Sequence, residues 1–214
     1  MSEPVAAAAE HPVLAFSEAK DAPEFVSAVK SALSQQRSEL TARLAQAASI
    51  ESLLQQHLQF IDRIVAAAWQ LCVGDKPGAA LVATGGYGRG ELYPLPDIDI
   101  LVCADDHLQS GIEESAGRFF SLLWDSGLKL GHAVRSVAQC VEAGKQDVST
   151  FTALLETRRL AGDESVFQAL KQAMQSPGIY SALDYFNAKR LEQRQRHAKF
   201  HNTADNLEPN LKEG

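Results

Sequence analysis

Cysteine is scarce in this sequence: Cys72, Cys103 and Cys140 stand far apart among 214 residues. No C-x-x-C pair occurs, the number is odd, and each cysteine sits in an apolar stretch. That pattern argues against a disulfide framework or a thiolate zinc site, and reduced thiols in a cytoplasmic protein are expected. Long hydrophobic runs are missing too. None approaches the roughly 18 residues of a membrane-spanning helix, so no span is expected. The N-terminal alanine run has no Lys or Arg before it and is flanked by Glu3 and Glu10, which makes a poor signal peptide. Positive charge is in deficit: 20 Lys and Arg against 27 Asp and Glu give a formal net charge of −7. A global attraction to nucleic acid or to an anionic membrane is therefore not expected. An acidic protein that handles an anionic nucleotide has to neutralise it locally, with metal ions or a few placed cations.

What is present suffices for a folded core, since 45% of the residues are hydrophobic. Residues 1–20 read as a flexible tail and 21–75 as an N-terminal helical segment. Helices are predicted over 23–48 and 50–73. In the second, Ile50, Leu53, Leu54, Leu58, Ile61, Ile64, Val65, Ala68 and Leu71 recur at three- and four-residue spacing and share one face. Ser49 is the expected N-cap and Gly74 the expected stop. Residues 76–145 change texture and read as a strand-rich core. Ala79–Thr84 and Ile98–Cys103 are short apolar runs that suit buried strands, with loop-rich sequence between them. A helix is predicted over 111–126, burying Phe119, Phe120, Leu122, Leu123 and Trp124. Leu128–Ser136 alternates as a third strand, with Leu128, Leu130, His132 and Val134 on one face. Residues 146–214 form a C-terminal helical segment, with helices expected over 147–160, 163–175 and 179–201 after a short one at 137–144. The fold class is α+β, a small mixed sheet flanked by N-terminal and C-terminal helices.

The chemistry concentrates between Val82 and Val102. A buried strand ends in Gly85-Gly86, where the absence of Cβ lets a ligand approach the backbone. Exposed N–H groups in such a turn form a concave anion site, and Arg89-Gly90-Glu91 is placed to open a short helix that adds to it. Asp97-Ile98-Asp99 follows. Residues two apart on a strand point to one face, so both carboxylates project together while Ile98 faces the core. Two such charges repel unless a cation lies between them. Mg2+ meets that need, because it takes one or two carboxylates together with phosphate oxygens. A phosphate-cradling turn followed by a metal-binding pair suits nucleotidyl transfer.

This order and spacing resembles the DNA polymerase β-like nucleotidyltransferase superfamily. The fuller string, Gly85-Gly86-Tyr87-Gly88-Arg89-Gly90-Glu91-Leu92 to Asp97-Ile98-Asp99-Ile100-Leu101, is similar to the N-terminal domain of the protein-PII uridylyltransferase/uridylyl-removing enzyme family. So are Gly127–Arg135, Leu154–Asp163 and Asn206–Gly214, and the resemblance covers residues 50–214. It implies UTP as donor, a tyrosine of the PII signalling protein as acceptor, and pyrophosphate as leaving group. The family's Gly-Gly-Leu-Arg-Asp continuation, HD phosphohydrolase domain and ACT domains do not occur here, so the sequence reads as a fragment of a longer family member. Glutamine sensing and de-uridylylation are not expected of it. Superfamily members usually carry a third carboxylate on a later strand, yet Leu128–Ser136 contains neither Asp nor Glu. Asp147 ranks ahead of Glu156 as its source, with His132 or a water as other ways to fill the gap. The plain reading of either acid is a helix cap or a surface ion pair.

Other residues carry two readings. Arg89 suits a bidentate phosphate contact or a pair with Glu91. Glu91 suits a brace for the loop, Tyr87 base stacking or simple packing, and His132 a structural role, with Arg135 on the opposite face. Lys189, Arg190, Arg194, Arg196, His197 and Lys199 form a basic concentration whose default is a solvated face. Lys212 is a candidate triphosphate ligand. Two further functions stay open: a nucleotide-binding regulatory module without turnover, and a nucleotidyltransferase with another acceptor.

Overall fold

The computed structural model describes residues 16–92, 98–105, 109–176 and 178–199. The chain enters through two long helices. Helix α1 (Ala22–Ala45) begins where the Asp21 carboxylate accepts the Glu24 N–H at 2.9 Å, a standard N-cap. Helix α2 (Ile50–Cys72) buries Leu53, Phe60, Ile61, Ile64, Val65, Ala68 and Trp69, the stripe its spacing predicts. Ser49 stands at its N-cap position, but its hydroxyl bonds Glu51 Oε2 at 2.7 Å rather than the backbone. Gly74 stops the helix at φ +68°, with its N–H on the Trp69 carbonyl. Phe16, within the stretch read as a tail, is buried edge-on against Phe25 and Phe60.

The sheet comprises β1 (Ala79–Ala83), β2 (Ile98–Ala104), β3 (Leu130–Ser136) and β4 (Arg158–Gly162), in the order β3-β2-β1-β4. β1 runs antiparallel to both neighbours, and β2 runs parallel to β3. The mixed sheet and its helices make the protein α+β. The parallel pair requires a crossover, supplied by α4 (Gln109–Asp125). Helices α5 (Val137–Gln146), α6 (Val148–Leu155), α7 (Glu164–Met174) and α8 (Ala182–Lys199) complete the described chain.

Both central strands are covered on both faces. Ala79, Leu81 and Ala83 of β1 join Ile98, Ile100, Val102 and Ala104 of β2 in a core with α1, α2 and α4. Ala80, Val82, Leu101 and Cys103 join a second core with α5, α6 and α7. Cys103 and Cys140 are buried free thiols, Cys72 is a half-buried one, and burial of Cys72 pushes its thiol up.

Two expectations need correction. Residues 147–160 are not one helix: α6 ends at Leu155, and Arg158–Gly162 is a fourth strand. Pairing with β1 overrides local helix propensity there. Trp124 is not on the buried side of α4; it is 46% exposed, with its ring tilted against Phe120 and edge-on to His132 at the sheet edge.

Phe119 is fully buried, with its ring 5.7 Å from that of Trp69. Phe119→Ala should destabilise the protein by about 3–5 kcal/mol, read as a lower midpoint in urea unfolding.

Candidate nucleotide and metal site

Strand β1 delivers the chain to Thr84, whose N–H still bonds the Asp99 carbonyl at 3.0 Å. The backbone then turns at Gly85, φ +57°, a left-handed conformation that glycine adopts at low cost. A single helical turn, α3 (Gly85–Gly88), follows at once. The predicted short helix thus begins four residues earlier than Arg89. Arg89 closes it, with its N–H on the Gly85 carbonyl at 3.0 Å. Gly90, φ +80°, then bends the chain away, and the Glu91 N–H returns to the Gly86 carbonyl at 2.9 Å.

Asp99 lies beside this turn. It is half-buried on β2, on the same sheet face as Leu101 and Cys103. A Cβ placed on Gly85 would stand 3.8 Å from Asp99 Oδ2. On the other side, β3 pairs Gly131 with Asp99, and a Cβ on Gly131 would overlap Asp99 Oδ1. Glycine on two elements therefore leaves the carboxylate its room. Ile98 is buried on the other face, as the alternation requires. An oxygen donor in a cleft of backbone and glycine fits a hard divalent cation. Asp97 and Lys212 lie outside the described residues. Among the described residues, no group of three or more His, Cys, Asp and Glu is placed to hold a metal ion.

The turn is held from beneath and from outside. Gly88 packs so closely on the Glu156 carbonyl that a Cβ would overlap it. Tyr87 is buried, and its hydroxyl donates to Asp62 Oδ1 at 2.7 Å. Arg158 reaches the same carboxylate with both Nη atoms, at 2.8 and 3.0 Å. Burial, together with the Asp62 charge, pushes the Tyr87 phenol far up, so it stays a donor. Burial is the largest single influence on Arg158 and lowers its guanidinium, but the hydrogen bonds and charges of Asp62 and Tyr87 together raise it. Tyr87 therefore packs, the plainer of its two readings.

Outside, Arg89 pairs with Glu91 Oε2 at 2.7 Å and with Glu156 Oε2. The Glu91 hydrogen bond contributes most to raising its pKa. The guanidinium lies over the turn, 3.8 Å from where a Cβ on Gly86 would stand. Glu91 braces the loop as expected.

The third-acid candidates separate in space. Asp147 is exposed and caps α6, accepting the Thr150 N–H at 2.7 Å. Its bonds to Thr150 hold its carboxyl below the usual range. Glu156, ranked second from the sequence, sits at the turn through Arg89. His132 pairs with Ile100, so it faces away from Asp99 and cannot fill the gap; its ring lies 4.5 Å from that of Phe120. Arg135 occupies the opposite face, as read. In the basic helix, Lys189 pairs with Glu192. Sequence reasoning missed Asp62 and Arg158. Asp62 carries no local signal in α2, because its partners are 25 and 96 residues away.

The chain is similar to known proteins. A family model described as GlnD PII-uridylyltransferase matches residues 184–214. The chain is 44% identical over 189 residues to the bifunctional uridylyltransferase/uridylyl-removing enzyme of Stutzerimonas stutzeri, covering 87% of this chain and 21% of that protein. It is 45% identical over 176 residues to the enzyme of that name from Nitrosococcus oceani, covering 82% and 20%. The corresponding values for Xanthomonas axonopodis pv. citri are 43% over 175 residues, 82% and 20%. The chain thus spans about a fifth of the length of these curated relatives. No helix among the described residues is long and apolar enough to cross a membrane.

Gly88→Ala should destabilise the fold by about 1–3 kcal/mol through the clash with the Glu156 carbonyl. Gly117→Ala, in α4 with nothing within 4 Å, should be neutral or stabilising by up to about 1 kcal/mol. Urea midpoints of the two variants measure the contrast.

Proposed function

We propose that this chain, which belongs to the bifunctional uridylyltransferase/uridylyl-removing enzyme family, carries a nucleotidyl-transfer site that moves uridylyl from UTP to a tyrosine of a PII signalling protein, releasing pyrophosphate. The observation that carries this reading is the position of Asp99, whose carboxylate lies within about a side chain's reach of the Gly85 turn. One element suits phosphate, the other a divalent metal, and they are adjacent.

In this reading Asp97 and Asp99 hold Mg2+, and the backbone of Gly85 and Gly86 holds the nucleotide phosphates. When bound, magnesium supplies Lewis-acid polarisation of the α-phosphate and stabilises the pyrophosphate charge. Arg89 is the exchangeable cation. Its ion pairs are half exposed, at 42% for Arg89 against 53% and 30% for its partners. Exposed pairs are worth at most about 1 kcal/mol, so a triphosphate competes for the guanidinium with little loss. Lys212 is a second candidate phosphate ligand. Glu156 is a better candidate than Asp147 for the third acidic position, because it already reaches the turn while Asp147 is engaged in a cap. The site is assigned to a cytoplasmic enzyme, with neither nucleic acid nor membrane as partner.

Asp99→Asn in the whole protein should lower pyrophosphate release from UTP in the presence of the PII acceptor at least about 100-fold, with an unchanged melting temperature. Asp97→Asn should behave alike. A magnesium titration of the wild type, monitored for both UTP binding and pyrophosphate, distinguishes transfer from a module that binds without turnover. Retained full activity in both variants would overturn the metal assignment.

A further inference from the structure

We infer that Asp62 and Arg158 are positioning residues for nucleotide transfer, acting through Tyr87 to fix the direction of the glycine turn. The inference rests on the phosphate-binding role proposed for Gly85 and Gly86. Three elements distant in sequence meet at one carboxylate. Asp62 comes from the middle of α2, Tyr87 from α3, and Arg158 from the first residue of β4. Asp62 Oδ1 accepts from both Tyr87 Oη and Arg158 Nη2, while Oδ2 accepts from Arg158 Nη1. Arg158 Nη2 also donates to the Tyr87 carbonyl at 3.3 Å, which is the backbone of the turn itself. The guanidinium carbon stands 5.4 Å from the Tyr87 ring centroid.

Arg158 also acts through its main chain. It pairs in the β1–β4 ladder with Ala83, the last residue of β1 before Thr84 and Gly85. One residue thus holds the strand that enters the turn and the carbonyl within it. Gly85, Gly86 and Tyr87 belong to a single helical turn, so displacement of Tyr87 carries the two glycines with it.

Stability alone does not require such a network. Even a fully buried ion pair is often replaceable by packed apolar groups without loss, and the Asp62–Arg158 pair is only part-buried. What apolar packing lacks is direction. A tyrosine anchored through its hydroxyl, its ring and its carbonyl has one orientation. Misplacement of binding groups by about 1 Å costs on the order of 100-fold in rate, so orientation is the property that matters for transfer.

The test compares Asp62→Asn and Tyr87→Phe with wild type in the whole protein, using UTP with magnesium and a PII acceptor as the probe and measuring KM, kcat and the folded fraction. A purely structural role lowers the folded fraction, and with it kcat, at an unchanged KM. The positioning role raises KM for UTP about tenfold and lowers kcat/KM about 10–100-fold in Asp62→Asn. Tyr87→Phe, which loses one hydrogen bond and keeps the ring, should raise KM about three- to tenfold. If Asp62→Asn does not fold, Tyr87→Phe decides. Wild-type KM in a folded Tyr87→Phe overturns the inference. A wild-type protein that neither binds nor consumes UTP overturns the underlying reading, and the positioning role with it, whereas normal wild-type turnover with unaltered variants overturns the positioning role alone.

Discussion

A carboxylate next to the buried apolar side chains of its own strand face needs room, and Asp99 obtains it from glycine. Leu101 and Cys103, the next residues of β2 on that face, are buried. An isolated charge among such side chains would cost many kcal/mol. Gly131 and Gly85 instead leave backbone and open space beside it. Much of the architecture serves that arrangement. The parallel β2–β3 register sets Gly131 opposite Asp99, and the antiparallel β1–β2 register brings Thr84 to the Asp99 carbonyl, so that Gly85 follows beside the side chain.

The turn itself is rigid inside and exchangeable outside. Inside, close packing of Gly88 on the Glu156 carbonyl and the buried bonds of Tyr87 leave little freedom. Outside, Arg89 is held by the exposed Glu91 and the half-buried Glu156 at the solvent boundary, where ion pairs are weak. Such a division suits a site that must keep fixed donors for a ligand while letting one cation change partners.

Legibility in the sequence followed the range of the interaction. Helix α2 was readable because its apolar stripe repeats locally, and the two central strands because each is a short apolar run between turn residues. The Asp99 face followed from strand alternation alone. Strand β4 was not readable. Arg158 and Arg159 look like helix or surface residues, and their strand character comes from pairing with Ala83 and Val82, more than 70 residues earlier. Asp62 was missed for the same reason: nothing within α2 distinguishes it from a solvent-facing acid. The relation of Glu156 to the turn likewise depends on how α6 ends, which local propensity does not specify. Trp124 was misassigned because a large aromatic in an apolar helical run is usually buried, whereas here it lies over His132 at an exposed sheet edge.

Charge around the turn bears on how a nucleotide would be accepted there. The named neighbours are two arginines, Arg89 and Arg158, and four acids, Asp62, Glu91, Asp99 and Glu156. Arg158 is already committed to Asp62, and Arg89 is shared between Glu91 and Glu156. The immediate field is therefore negative, in a chain that is itself acidic. A bare triphosphate approaching this field is repelled, since like charges a few ångströms apart disfavour one another even with partial solvent screening. Cations accompanying the phosphates would reverse the sign, with Asp99 as the carboxylate placed to share the compensating charge. Under the proposed function, the negative charge at the turn would favour a metal–nucleotide complex over the free nucleotide.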